Sequence, residues 1–296
     1  MSLFGPRRIG LALGSGSARG LAHIGVLKVL EQEGLAPSVI AGTSMGALVG
    51  AFYAAGVSVD EMEHIALTFD VKQVTGLSDL ALSNGAISSG EKVRAFLAEH
   101  LPPTFEELEM PFGCVAMDLS HNRAVYFTHG DLIQAVRAST SVPLAFVPVR
   151  MDDMLLVDGF VCDPVPVDLA RQLGGETVVA VDVHGSGKVN LDDQGRRPAS
   201  VLRDLQSTVA RRDRERGDSS MDIVLAISEA FEARASELAL RRASVVLSPE
   251  VHHLTGSNFA AAAEAIAAGE AAARTAVERI RRKARREHSE RLDSAC

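Results

Sequence analysis

Short apolar runs ending in glycine-rich turns alternate with stretches of helical period along the first half of the chain. Ile9 to Leu13 (IGLAL) is a continuous apolar run that meets Gly14-Ser15-Gly16, the pattern of a buried strand entering a tight loop. Leu21 to Glu33 has helical spacing, and Gly34 stops it. Pro37 to Ala41 is a second short run; it enters Gly42-Thr43-Ser44-Met45-Gly46, and a helix of small residues follows to Ala55, ended by Gly56. Strand, glycine turn and helix, repeated in this order, predict a parallel, doubly wound α/β sheet. Further strands are predicted at Phe112 to Asp118, Ala124 to Phe127, Met154 to Val157 and Thr177 to Val183, with a helix over Gly130 to Ser139. Pro143 and Pro148 place a loop after that helix.

The pattern then changes. Gly185 to Ser220 is charged and rich in Gly and Ser, centred on Arg211-Arg212-Asp213-Arg214-Glu215-Arg216, and reads as a mobile surface segment. Met221 to Ala243 regains helical period, with Ile223, Ile227, Phe231 and Leu238 in one stripe. Val245 to Leu247 is a last short strand, and Asn258 to about Arg286 is an Ala-rich helix. The simplest organisation is one domain over 1–296: a core of about 8–184, the charged segment 185–220, a helical part 221–286 and a basic tail.

Apolar residues make up 47% of the chain, enough to fill the core of an α/β domain and too many for a disordered one. The net charge of −8, two Tyr and no Trp argue against nucleic-acid binding, which needs a basic footprint and stacking surfaces. Cys114, Cys162 and Cys296 are odd in number and lack any CxxC, so neither a disulfide framework nor a zinc site is expected, and no metal or cofactor. No leader-like or membrane-spanning run is evident, which gives an expectation of a cytoplasmic chain. The tail is the exception to the acidic balance. From Ala271 onward Arg274, Arg279, Arg281, Arg282, Lys283, Arg285, Arg286 and Arg291 outnumber the acidic residues. They read first as a solvated helix end with i,i+4 pairs, and alternatively as a peripheral contact with anionic lipid.

Two glycine loops carry the candidate chemistry. Gly42-x-Ser44-x-Gly46 between a strand and a helix is the arrangement of a nucleophile elbow, in which a serine on a sharp turn needs small neighbours. Gly14-Ser15-Gly16-Ser17-Ala18-Arg19-Gly20 looks like a dinucleotide fingerprint, but the third glycine would fall at Arg19. The second run also ends Ile40-Ala41-Gly42, without a ribose-binding acid. Bare N–H groups before a helix suit an oxyanion better. For the base, the residues leave two readings open: a triad through His184, His252 or His253, or direct proton transfer to Asp158 in Val157-Asp158-Gly159.

Three blocks together resemble the patatin-like phospholipase family of lipid acyl hydrolases: LALGSGSARGLAHIGVLKVLEQEG, VIAGTSMGALVGAFYAAG, and AVRASTSVPLAFVPVRMDDMLLVDGFVCDPVPVDLARQLGGETVVAVDV. The terminal IAAGEAAA is similar to the last helix of that family, and the compact, single-domain bacterial members look most similar. The resemblance implies a three-layer fold with a mainly parallel central sheet flanked by helices. It implies a Ser–Asp dyad, with Ser44 as nucleophile and Asp158 as base, acting on a lipid or fatty-acyl ester. Amides around Gly14, Ser15, Gly16 and Ser17 would form the oxyanion hole, Arg19 would order that loop, and Gly20, Gly42, Gly46 and Gly159 are the motif glycines. Two residues depart from the family pattern: Ser15 stands between the first two glycines, and Phe160 adds bulk after Asp158-Gly159. The remaining readings are a triad esterase acting on small esters and a non-hydrolytic regulator. The segment 185–220, with the helix from Met221, is the expected gate, because it leaves a strand at the carboxyl edge of the sheet.

Overall fold

The computed structural model describes residues 8–68, 88–143, 145–185, 232–256 and 258–295, with side chains to Glu287. Of the expected gate, the segment 185–220 with the predicted helix from Met221, residues 186–231 lie outside the described residues, as do the tail side chains beyond Glu287.

The central sheet contains β1 (Ile9–Leu13), β2 (Val39–Thr43), β3 (Phe112–Asp118), β4 (Arg123–Phe127), β5 (Val149–Met151), β6 (Met154–Asp158), β7 (Thr177–Val181) and β8 (Val245–Leu247). Its order is β5-β6-β3-β2-β1-β7-β8, with β4 on the free edge of β3. The pairs β3–β2, β2–β1, β1–β7 and β7–β8 are parallel, whereas β4, β6 and β5 add antiparallel pairs on one side. Every residue of β1, β2 and β7 is buried, because helices cover both faces of a parallel sheet and leave no polar side to alternate with.

Alternate residues of each strand serve the two covering layers. Leu11, Leu13, Ile40, Val179 and Val181 pack with α1 (Ala22–Gln32), α2 (Met45–Ala54) and the C-terminal helix Ala262–Ala295. Ala12, Ala41, Val178 and Ala180 face Val167, Leu169 and Ala170 of the short helix Val167–Gln172, together with Ala239 and Leu240. Glycine allows the closest approach in the larger layer: a Cβ on Gly25 would lie 2.0 Å from the Ile266 oxygen, and one on Gly269 only 1.9 Å from the Ala22 oxygen. The C-terminal helix therefore lies directly on the backbone of α1.

Strands and helices fall close to the predicted positions, with four additions. Helices Val59–Thr68, Glu91–His100 and Val167–Gln172, and strand β5, were not foreseen. β5 and β6 form a hairpin around Asp152-Asp153, with Asp152 at φ 52°, as a two-residue turn requires. The helix over residues 232–240 differs from its predicted stripe, because Ala239 and Leu240 are buried while Leu238 is 58% exposed.

Candidate active site

The elbow follows from crowding at the end of β2. A Cβ on Gly42 would sit 2.2 Å from the Gly46 oxygen, and one on Gly46 would sit 2.2 Å from the Leu13 oxygen, so both positions require glycine. Between them Ser44 takes φ 56°, ψ −120°, a conformation that a residue with a side chain holds only when its surroundings enforce it. Its N–H donates to Ser139 Oγ at 3.1 Å. No side chain caps α2, which begins at Met45, directly after the serine.

Strand register brings Asp158 to this serine. Cys114 and Val115 of β3 pair with both β2 and β4, and Ala116 to Asp118 pair with both β4 and β6. Thus β2 and β6 share one edge of β3, end to end. Thr43, the last residue of β2, is opposite Val115, and Asp158 is opposite the next residue, Ala116. Ser44 Oγ donates to Asp158 Oδ2 at 2.5 Å. Asp158 Oδ1 accepts the Phe160 N–H at 3.0 Å, the Asp158 N–H bonds the Ser141 carbonyl, and Thr43 Oγ1 bonds the Asp163 carbonyl at 2.8 Å. Gly159 keeps this turn close to β3; a Cβ there would lie 2.4 Å from the Val115 oxygen.

Asp158 is fully buried, and burial pushes its carboxyl up to about 8. The Ser44 hydroxyl and Phe160 N–H work against that rise, and the charge of Glu232 adds to it. A carboxyl poised there has the affinity for a proton that a base needs near neutral pH.

The glycine loop lies beside the elbow, where Gly20 packs against Met45. The Gly14 N–H bonds the Val181 carbonyl at 3.0 Å and the Ser15 N–H bonds the Pro164 carbonyl at 2.9 Å. Among the described residues, Gly16 and Ser17 N–H have no such partner. Arg19 Nε donates to the Leu254 carbonyl at 2.7 Å, and Ala18 N–H to that of Gly256, tying the loop to the segment before the C-terminal helix.

None of the three histidines considered as a base bonds Ser44 among the described residues. His184 Nε2 lies 3.4 Å from Glu232 Oε2; His253 Nε2 is 2.7 Å from Glu264 Oε1, and His252 Nδ1 is 3.7 Å from Glu250 Oε2. The structure adds residues the sequence reading did not single out. Ser139 and Ser141 hold the backbones of Ser44 and Asp158, and the buried Arg137 donates to Ser141 Oγ at 2.5 Å and to the Ser89 carbonyl at 3.1 Å. In the sequence these residues lie in the run Arg137-Ala138-Ser139-Thr140-Ser141, at the end of the helix predicted over Gly130 to Ser139 and within the third resemblance block. His23, fully buried, donates from Nε2 to the Gly14 carbonyl at 2.7 Å, and burial lowers its pKa to about 4, so it is neutral. Glu232 bonds Ser15 Oγ; nothing local in the sequence marks it.

At the elbow of the parallel sheet a strained serine is thus hydrogen-bonded to a buried carboxylate. A family model described as Patatin-like phospholipase matches residues 11–171, more than half of the chain, and the chain belongs to that family. It is 38% identical over 180 residues to an uncharacterized NTE family protein of Mycobacterium tuberculosis, over 60% of this chain and 50% of that one. It is 33% identical over 181 residues to a lysophospholipase nte1 of Aspergillus fumigatus, over 60% of this chain and 12% of that one. The chain thus spans about half, or less, of the length of these curated relatives. The crystal structure of VipD from Legionella pneumophila aligns with 93% of this chain and 67% of its own, with a TM-score of 0.50 and 13% identity, a likeness of fold alone.

Proposed function

We propose that the chain is a serine lipid acyl hydrolase that cleaves fatty-acyl esters through an acyl-enzyme. The observation that carries this reading is the 2.5 Å bond from Ser44 Oγ to the buried Asp158 Oδ2. Asp158 takes the Ser44 proton as Oγ attacks the ester carbonyl carbon, and the carbonyl electrons move onto oxygen. The Gly16, Ser17 and Met45 N–H groups receive that oxyanion. Collapse expels the alcohol, which takes the proton back from Asp158 and leaves the acyl group on Ser44. Water then attacks the acyl carbon and gives its proton to Asp158; collapse frees the fatty acid and returns the proton to Ser44. Because the fungal relatives are named lysophospholipases, a lysophospholipid is the first lipid to try.

Among the described residues no helix is long and apolar enough to cross a membrane. In the C-terminal helix, Arg274 bonds Glu270 and Lys283 lies 3.6 Å from Glu287, both i,i+4 pairs, while Arg281 bonds Glu278 at i,i+3 and Glu33 beyond α1, so part of the basic tail is paired within the chain.

The test is labelling by a fluorophosphonate probe, followed by release assays on a panel of defined phospholipids, lysophospholipids and acylglycerols. Ser44→Ala is expected to lose both labelling and turnover while its melting temperature stays near wild type. Turnover surviving in a folded Ser44→Ala protein would remove the assignment.

A further inference from the structure

The carboxylate of Glu232 is the least expected group near the elbow. It is 7% exposed, belongs to the helix over residues 232–240, and approaches the glycine loop from far along the sequence. A buried carboxylate needs donors around it, and two are in place. Oε1 accepts the Ser15 hydroxyl, and Oε2 faces His184 Nε2 at 3.4 Å. His184 is held in turn, its N–H bonded to Asp182 Oδ1 at 3.1 Å. The Ser15 hydroxyl has a second acceptor, the Pro164 carbonyl at 3.3 Å, but it carries one proton, and Glu232, the nearer acceptor, takes it.

Ser15 is therefore gripped by its N–H, through Pro164, and by its side chain, through Glu232. The two residues that follow carry the N–H groups that have no partner among the described residues. We propose that Glu232 is a positioning residue for the oxyanion loop: by holding the Ser15 side chain it fixes the direction of the Gly16 and Ser17 N–H groups. Glu232 touches no reacting atom and acts through Ser15. The inference rests on the active-site reading given above and adds to it the residue that sets its electrostatic half.

The requirement is for an acceptor at this place, and a neutral one meets it. Four full-length variants, Glu232→Gln, Glu232→Ala, Ser15→Ala and the double Glu232→Ala/Ser15→Ala, are compared with wild type. The readouts are the rate of fluorophosphonate labelling and the kcat and KM for a short soluble p-nitrophenyl ester. Glu232→Ala and Ser15→Ala are each expected to lower the labelling rate and kcat by about 10- to 100-fold with KM within about threefold, since a misdirected donor weakens the transition state more than the ground state. Glu232→Gln, which keeps an acceptor oxygen, is expected to stay within about threefold of wild type. The double variant is expected to be no worse than Glu232→Ala, because both changes remove one contact. Wild-type labelling in Glu232→Ala, losses that multiply in the double variant, or a Gln variant as poor as Ala would each overturn the proposal. If Glu232→Ala fails to fold, Ser15→Ala decides alone: wild-type kcat in that protein removes the role. Failure of the underlying reading is distinguishable, since wild type itself would then not be labelled at Ser44.

Discussion

Ser44 and Asp158 are positioned from within one sheet, whereas Gly14 to Ser17 are positioned from stretches scattered over the chain. The serine and the carboxylate meet because β2 and β6 meet end to end on one edge of β3, a matter of register. The loop is held by Val181, Pro164, His23, Leu254, Gly256 and Glu232. A register is all-or-none, since a slip of one residue turns every side chain to the other face. A loop held by many separate hydrogen bonds can lose them one at a time. In the proposed reaction the proton-transfer pair should therefore fail abruptly on mutation, and the oxyanion site by degrees.

The largest effect is expected at the pair. Asp158→Asn should lower kcat by roughly 10²- to 10⁴-fold, the usual worth of a general base. The same change should raise the melting temperature near pH 8. With its folded pKa raised to about 8, Asp158 keeps a proton in the native state that the unfolded chain releases above the ordinary carboxylate range. The stability contributed by this proton is complete below that range and is lost as pH rises toward 8. The thermal advantage of Asn should therefore shrink from pH 8 toward pH 4. An advantage independent of pH would show that burial is not what holds this carboxyl up.

On the loop, Gly16→Ala should cost about 100-fold in kcat/KM, because Gly16 sits at φ 156° and a Cβ there would lie 2.2 Å from Val183 Cγ2. The pH midpoint of activity should stay where it is, since the base is untouched; a moved midpoint would show that loop and pair are not separable. A smaller effect links the two regions. In wild type, kcat/KM for a soluble ester should rise with pH to a midpoint near 8 as Asp158 ionises. Glu232→Gln should move that midpoint down, because it removes a negative charge that disfavours the ionised carboxylate. A midpoint that moves up would contradict the sign of this coupling. The smallest effect belongs to His252 and His253, both more than half exposed, where the double change to Ala should alter kcat less than about twofold. A large loss there would return the triad to consideration.

This contrast also separates what could be read from the sequence from what could not. Strands such as Phe112–Asp118 and Val245–Leu247, and the turn Gly42 to Gly46, are local patterns, and the fold places them where their residues predict. Pairing Ser44 with Asp158 needed the family resemblance, because antiparallel β6 continuing the edge left by β2 is not a local property. The helix Val59–Thr68 was readable and missed. Ser58 Oγ caps it by accepting the Glu61 N–H at 3.2 Å, a Ser-x-x-Glu start, and Val59, Met62 and Ala66 are its buried face. Glu91–His100 buries only Leu97 fully, so its period was faint. Glu232 has no signature at all. Its meaning exists only once the chain has returned to the Gly14 loop, more than two hundred residues away in sequence.

The glycine contact between α1 and the C-terminal helix has a consequence for synthesis. The turn Ser17–Leu21 leads straight into α1, whose backbone lies on Ile266 and Glu270, and Arg281 bonds both the Glu33 carbonyl and its carboxylate at the far end of α1. Ser44 and Asp158 are translated well before those residues. A chain still emerging from the ribosome can therefore hold both reactive groups while α1, and the loop leading into it, lack their support. In the proposed reaction, ester cleavage would then wait until the helix Ala262–Ala295 has been made. Stalled chains ending before Ala262 are expected to resist the fluorophosphonate, and released full-length chains to react with it; equal labelling of the two would show that the last helix has no part in the timing.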